Sequence, residues 1–164
     1  MTADLNPEDE PKWRRRLGSG ANNRAWTLSE QLSRTREEDA EMLHAAHASA
    51  YLWSTVGNEQ NAALADLLLG QVHALLGSAA LAVRFSNSAH EFFAGRDSEP
   101  WELALTHAVA ANAAHCGGDT RSHQAEYAAA LRAIDTIADA EEKEIVLATM
   151  RVVPQPSTSV ASGG

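Results

Sequence analysis

Stretches rich in alanine and leucine alternate along the chain with short segments of glycine, proline and helix-capping residues. Alanine and leucine are the strongest helix formers, β-branched residues are few, and aromatic residues make up only 5% of the sequence. This pattern predicts an all-α protein of about seven helices. The predicted helical segments cover residues 23–33, 36–56, 59–76, 79–94, 99–116, 120–138 and 140–153.

Capping residues mark the starts of several predicted helices. Thr35 is followed three residues later by Glu38, which is the spacing of a capping box. In this motif each side chain bonds the backbone amide of the other residue. Asp139 and Glu142 have the same spacing and predict a second capping box at the start of the last helix.

Two glycine stops suggest a repeated unit. Gly77 and Gly118 lie about 41 residues apart, and each is followed eight or nine residues later by an aromatic residue, Phe85 or Tyr127. Helix hairpins with an inward aromatic side chain are typical of tetratricopeptide-like arrays. Because the connections are short, consecutive helices should pack antiparallel. We therefore predict antiparallel helix hairpins stacked as a short, right-handed, tetratricopeptide-like superhelix.

The same pattern divides the chain into one domain and two ends. Residues 1–20 contain Pro7, Pro11 and the sequence GSG, and we expect them to form a disordered leader. Residues 21–154 are expected to form the helical-hairpin domain. Residues 155–164, rich in serine, proline and glycine, are expected to be a disordered tail.

Charge narrows the range of partners. The formal net charge is −9, which argues against nucleic-acid binding, because that binding depends on neutralising phosphates. The basic run at 12–16 is expected to be solvated. Residues 62–83 carry one formal charge, but Asp66, Gln71 and His73 interrupt the segment, so we expect no membrane span.

Cysteine usage and the N-terminus indicate a location. Cys116 is the only cysteine, so no intrachain disulfide is possible, which suits a reducing compartment. The N-terminus is acidic and lacks the apolar core of a secretory signal. We therefore expect a cytoplasmic protein. Cys116 follows His115, but neighbours on a helix point about 100° apart, so adjacency does not make them a catalytic dyad.

One predicted helix, residues 36–56, carries the most suggestive chemistry. Glu41, His44 and Tyr51 fall on one stripe of it, and His47 lies beside them. Glu41 and His44 also have the Glu-x-x-His spacing of carboxylate-bridged di-metal bundles. Those sites need the pair twice, and it occurs once here, so we exclude a di-iron centre.

Two interpretations of the histidines remain open. His73, His107 or His115 could meet the histidines of the stripe around a zinc ion. Alternatively, the imidazoles are structural and bond to nearby carbonyls and carboxylates. We favour the structural interpretation and expect no metal, no cofactor and no catalytic residue. A role as a pH sensor rests only on the number of histidines.

Several bulky and small residues predict packing. Gly70 has no turn or cap to make in the middle of its predicted helix, which indicates close contact with another helix. Trp53 and Trp101 are expected to anchor the core, and Trp26 to pin the first helix to the bundle.

Three motifs resemble a family of uncharacterised bacterial tetratricopeptide-like helical proteins. They are ANNRAW at 21–26, EEDAEMLHAAHASAYLWSTVGN at 37–58 and VHALLGSAALAV at 72–83. The likeness covers most of the predicted domain, although the fifth helix is richer in alanine and histidine. The resemblance implies a small cytosolic helical protein and brings no established activity. It singles out Asn22, Asn23, Arg24, Trp26, His44, His47 and Trp53.

The favoured hypothesis is a non-enzymatic protein-protein interaction or scaffold module that binds a protein partner or itself. The alternative is a small-ligand or metal-binding bundle that uses Glu41, His44, His47 and Tyr51. The candidate binding residues are Asn22, Asn23, Arg24, Trp26, Glu41, His44, His47, Tyr51, Trp53, His73 and His107.

Overall fold

The computed structural model describes residues 6–157, so the ends of the predicted leader and tail, 1–5 and 158–164, lie outside the described residues. After a 3₁₀ turn at Pro7–Asp9, the helices are α1 Glu10–Ser29, α2 Arg36–Val56, α3 Glu59–Leu75, α4 Ala79–Ala94, α5 Pro100–Cys116, α6 Thr120–Asp135 and α7 Ala140–Met150. The described chain contains seven α-helices and no strand. The predicted all-α fold is confirmed.

The first helix begins earlier than predicted. The expectation of a disordered leader over residues 1–20 is wrong from Glu10 onward, where α1 starts. Pro11 lies in the first turn, where a missing amide costs nothing. Gly18 does not break the helix but lets it approach α2, because a Cβ there would come within 3.3 Å of Leu52 Cβ.

The caps follow local sequence closely. Thr35 Oγ1 accepts a hydrogen bond from the Glu38 amide at 3.1 Å, and Glu38 Oε2 accepts one from the Thr35 amide at 2.8 Å. This confirms the first capping box. Asp139 Oδ1 accepts from the amides of Glu141 and Glu142 at 2.8 and 2.9 Å, so it caps α7 by its own side chain. The reciprocal half of the second predicted box does not occur among the described hydrogen bonds.

Two glycines turn the chain between helices. Gly77 and Gly118 have φ angles of +77° and +74°, a left-handed conformation that glycine adopts without steric cost. After Gly118, the amide of Asp119 donates to the carbonyl of Ala114 at 2.9 Å and closes the end of α5. These turns reverse the chain sharply and form the hairpins α3–α4 and α5–α6.

The helices form two layers. α1, α3, α5 and α7 contact one another in chain order and make an inner layer. α2, α4 and α6 make an outer layer, and each packs mainly on the helices that precede and follow it. Within the first hairpin, Arg24 bonds Glu41 whereas Arg14 bonds Thr55, so α1 and α2 run antiparallel as predicted.

α3 and α5 lie at the centre of this arrangement. Every residue from 67 to 74 on α3 is buried, and so is most of α5. Between the two helices, Asn112 Nδ2 donates to Gln71 Oε1 at 3.0 Å in a buried hydrogen bond. Although these helices are largely apolar, none in the described part of the chain is both long enough and apolar enough to cross a membrane.

Gly70 brings α3 close to α4 and α5. A Cβ on Gly70 would lie 3.1 Å from Val109 Cγ1 and 3.2 Å from the backbone nitrogen of Ser86. Because the second neighbour is backbone, it cannot rotate away. This position therefore needs glycine for packing, as the sequence suggested.

Gly70→Ala is expected to lower stability. Overpacking a filled site costs about 1–3 kcal/mol, which exceeds the roughly 0.5–1 kcal/mol that alanine gains over glycine within a helix. Gly20→Ala is the matched control, because a Cβ on Gly20 meets nothing within 4 Å. Thermal denaturation followed by circular dichroism should show a lower Tm for the first variant and a slightly higher Tm for the second. A raised Tm for Gly70→Ala would contradict the close contact.

Candidate functional site

The inner layer of helices borders an open groove of about 380 Å³. Side chains of α1, α3, α5 and α7 all reach it, so it depends on the side-by-side placement of the odd-numbered helices. We call it the inner groove. Its lining residues are Asn22, Asn23, Trp26, Thr27, Glu30, Leu64, Trp101, Leu105, Ile145 and Thr149.

Two tryptophans give the inner groove its apolar character. Trp26 of α1 and Trp101 of α5 are half-buried, and both also pack against the hydrophobic core. Leu64 and Leu105 lie with them, and Ile145 is exposed at the edge. An indole ring offers a large apolar surface together with one N–H donor. The groove therefore suits an apolar group that also carries hydrogen-bonding atoms.

Polar side chains flank these walls. Asn22 Nδ2 donates to Asn23 Oδ1 at 3.2 Å, and Thr27 Oγ1 donates to the carbonyl of Asn23 at 2.9 Å. On the α7 side, the Thr149 hydroxyl is buried and has no hydrogen-bond partner among residues 6–157. An unpaired buried hydroxyl costs free energy. The groove therefore has side-chain amides on its α1 wall, and beneath its α7 wall lies a buried hydroxyl without a partner among the described residues.

Glu30 places a carboxylate at the end of the groove. Burial raises the pKa of Glu30 above its ordinary value; the charge of Arg151 opposes the rise and that of Glu144 adds to it. None of the ion pairs between described residues includes Glu30. A cationic group bound beside it would relieve the cost of this partly buried charge.

A second constellation lies on the opposite side of α5. His107 of α5 donates from Nδ1 to Glu126 Oε2 of α6 at 2.7 Å, and both side chains are half-buried. His90 of α4 meets His107 edge-on, with 5.6 Å between the ring centroids. One ligand atom from each of the three residues lies within 4.8 Å of the others. We call this the His–His–Glu cluster.

The residues predicted from the first motif divide between two sides of α1. Asn22, Asn23 and Trp26 lie in the inner groove. Trp53 joins Asn22 and Asn23 around an adjoining cavity of about 120 Å³. Arg24 points away and holds Glu41 in a bidentate pair, with N–O distances of 2.7 and 2.8 Å.

The predicted stripe on α2 faces solvent. Glu41, His44, His47 and Tyr51 are all exposed. The hydrogen bond from Arg24 lowers the pKa of the exposed Glu41 carboxyl, which is already occupied by that partner. Among the described residues, three possible metal ligands come together only at the His–His–Glu cluster. That the α2 stripe binds a ligand or a metal stays a prediction.

Two histidines make hydrogen bonds of the kind that the structural interpretation predicts. His107 bonds the Glu126 carboxylate, and His123 Nε2 donates to the carbonyl of Pro154 at 2.7 Å. His44 and His47 are exposed, and His47 also contacts the ring of His73 on α3. Neither bonds a carbonyl or a carboxylate among the described hydrogen bonds, so the predicted bonds are not seen for these two.

His73 behaves differently from the other histidines. It is buried, stacks on Phe85 with 5.7 Å between ring centroids, and meets His47 edge-on at 5.4 Å. Neither ring nitrogen has a hydrogen-bond partner in the described part of the chain. Burial, and secondarily the charge of His47, lowers the pKa of His73. Its ring therefore packs as a neutral side chain.

No protein-family model, curated protein or solved structure matches this chain. The resemblance to bacterial tetratricopeptide-like proteins thus stays a prediction. The candidate sites are therefore inferred from the positions of the residues in this structure alone.

Sequence reasoning missed much of the inner groove. Trp101 was expected only as a core anchor, and Glu30 was not singled out. Asn23 and Trp26 on α1 and Glu30 at its C-cap are spaced by three and four residues, so helical periodicity was a usable signal for one shared face. No sequence pattern indicated which residues of α5 and α7 line the groove, because that depends on how helices distant in sequence pack together.

The raised pKa of Glu30 predicts a pH-dependent difference for Glu30→Gln. The folded chain holds the proton of Glu30 more tightly than the unfolded chain does. The stabilising contribution is therefore present below the unfolded pKa and is lost as pH rises through the raised folded pKa. The variant should have a higher Tm than the native chain at neutral pH, and this gain should vanish in acid.

Thermal melts across a pH series provide the measurement. Glu91→Gln, at an exposed position on α4, is the control and should show little difference. If Glu30→Gln melts at a lower temperature than the native chain at neutral pH, the account of Glu30 is wrong.

Proposed function

We propose that this chain is a protein-binding module whose inner groove takes an apolar segment of a partner protein. The observation that carries the proposal is that Trp26 and Trp101 both line one open groove built from four helices. Partly exposed tryptophans beside a concave surface are typical of residues that dominate protein-protein binding energy.

The shape of the groove supports a polypeptide as the occupant. It is open along the inner layer, so a chain segment can enter without the helices separating. The amides of Asn22 and Asn23 lie at its edge, where they can bond the backbone of a bound segment. The apolar walls then take the side chains of that segment.

The negative charge of the groove and of the whole chain indicates which side chains the partner segment carries. Glu30 lies at the groove and belongs to none of the ion pairs between described residues, whereas its charged neighbours Arg151 and Glu144 pair with each other at 2.9 Å. The chain as a whole carries a formal net charge of −9. We infer a partner segment that combines apolar side chains with lysine or arginine, so that its cation pairs with Glu30.

Two further expectations from the sequence, the type of superhelix and the cellular location, are part of this proposal. We propose a right-handed, tetratricopeptide-like superhelix, and its stacking of hairpins is supported by the inner layer of odd-numbered helices and the outer layer of even-numbered ones. A cytoplasmic location is supported by the free thiol of Cys116, which suits a reducing compartment.

The α2 stripe has weaker support as a ligand site. Glu41 is already held by Arg24, and the carboxylate would have to leave that bidentate pair to bind a ligand. His44 and Tyr51 are exposed side chains on α2.

The test is selection from a random peptide library displayed on phage, followed by fluorescence anisotropy with the enriched peptides. We expect enrichment of peptides with apolar and basic residues. Trp26→Ala and Trp101→Ala should each weaken their binding at least about tenfold, because truncating an interface anchor commonly costs more than 1.4 kcal/mol. Glu30→Gln should weaken binding of basic peptides and reduce its dependence on salt.

The matched control is Trp13→Ala, which removes an exposed tryptophan far from the groove lining and should leave affinity unchanged. Failure to enrich any peptide, or equal binding by the native chain and both groove variants, would contradict the proposal. Equal loss in the Trp13 variant would assign the binding to the surface of α1 instead.

A further inference from the structure

The His–His–Glu cluster has an arrangement that the proposed protein-binding function does not use. Three consecutive helices, α4, α5 and α6, supply one side chain each, so the cluster is held by the fold and not by one flexible loop. We propose that His90, His107 and Glu126 form a binding site for a single divalent transition-metal ion such as Zn²⁺.

The spacing of the three side chains permits one ion. Their ligand atoms lie within 4.8 Å of one another. Metal–ligand bonds of about 2.0–2.2 Å in a tetrahedral site place ligand atoms roughly 3.3–3.6 Å apart. To reach this spacing, the side chains of the three half-buried residues would have to rotate.

The chemistry of the donors selects the ion. Two imidazole nitrogens and one carboxylate oxygen suit zinc and neighbouring first-row divalent ions. Calcium and magnesium prefer sites made entirely of oxygen ligands. Thiolate or thioether sulfur, which selects monovalent copper, is absent from these three side chains.

The carboxylate already lies against the imidazoles. Glu126 Oε2 is 2.7 Å from His107 Nδ1, and the centroids of the His107 and His90 rings are 5.6 Å apart. An ion bound between these groups would take the place of the proton that His107 now donates to Glu126.

The site also leaves room for a further ligand. His90 and Glu126 line a cavity of about 410 Å³ between α4 and α6, distinct from the inner groove. Asn87 and Ser122 line the same cavity and provide hydrogen-bonding groups beside the ion. A three-residue donor set leaves at least one coordination position for water or a small oxygen-bearing molecule.

The experiment is isothermal titration calorimetry of the full chain with ZnCl₂. We expect one ion per chain. His90→Ala and Glu126→Gln should each weaken binding by at least the roughly 10–100-fold that loss of even an outer-shell partner costs. His90→Ala leaves the His107–Glu126 hydrogen bond in place, so this variant remains informative if Glu126→Gln fails to fold.

His44→Ala is the matched control, because His44 is an exposed histidine on α2 and lies outside the cluster. It should bind zinc as the native chain does. Absence of binding, or binding that His90→Ala and a folded Glu126→Gln leave unchanged, would overturn the proposal. Zinc binding that is lost in the His44 variant would assign the ion to surface histidines and overturn it equally. None of these outcomes depends on the inner groove.

Discussion

The close contact of α3 with α5 is the constraint on which the rest of the molecule depends. Gly70 has no Cβ, and a Cβ there would lie 3.1 Å from Val109 Cγ1 on α5 and 3.2 Å from the backbone nitrogen of Ser86 on α4. The buried bond between Asn112 and Gln71 fixes the register of α3 and α5. Because a buried polar group must find its partner, this bond also penalises any sliding of one helix along the other.

Both candidate sites follow from that contact. On the inner side, α3 and α5 contribute Leu64 and Leu105 to the groove between Trp26 and Trp101. On the opposite side, α5 presents His107 to the neighbouring outer helices, where the metal site is proposed. One helix pair thus sets the geometry of two surfaces with different chemistry: an apolar groove suited to a polypeptide and a compact donor set suited to an ion.

Local signals predicted the fold well. The capping box at Thr35 and the glycine turns depend on residues a few positions apart, so the sequence contains all that determines them. The need for Gly70 in packing was also recognisable. The start of α1 was missed because Gly18 looked like a breaker, whereas its contact with α2 explains it. The exposure of His44 was missed because the buried face of a helix depends on its neighbours.

The candidate sites were harder to predict, since their members come from helices far apart in sequence. Asn22, Asn23 and Trp26 were found, but the facing side chain of Trp101 acquires its role only through packing. Native-state hydrogen exchange tests the central α3–α5 contact most directly. The account predicts that amides of residues 67–74 and 104–114 exchange only through global unfolding. Slower exchange in the α1–α2 hairpin than in these segments would contradict it.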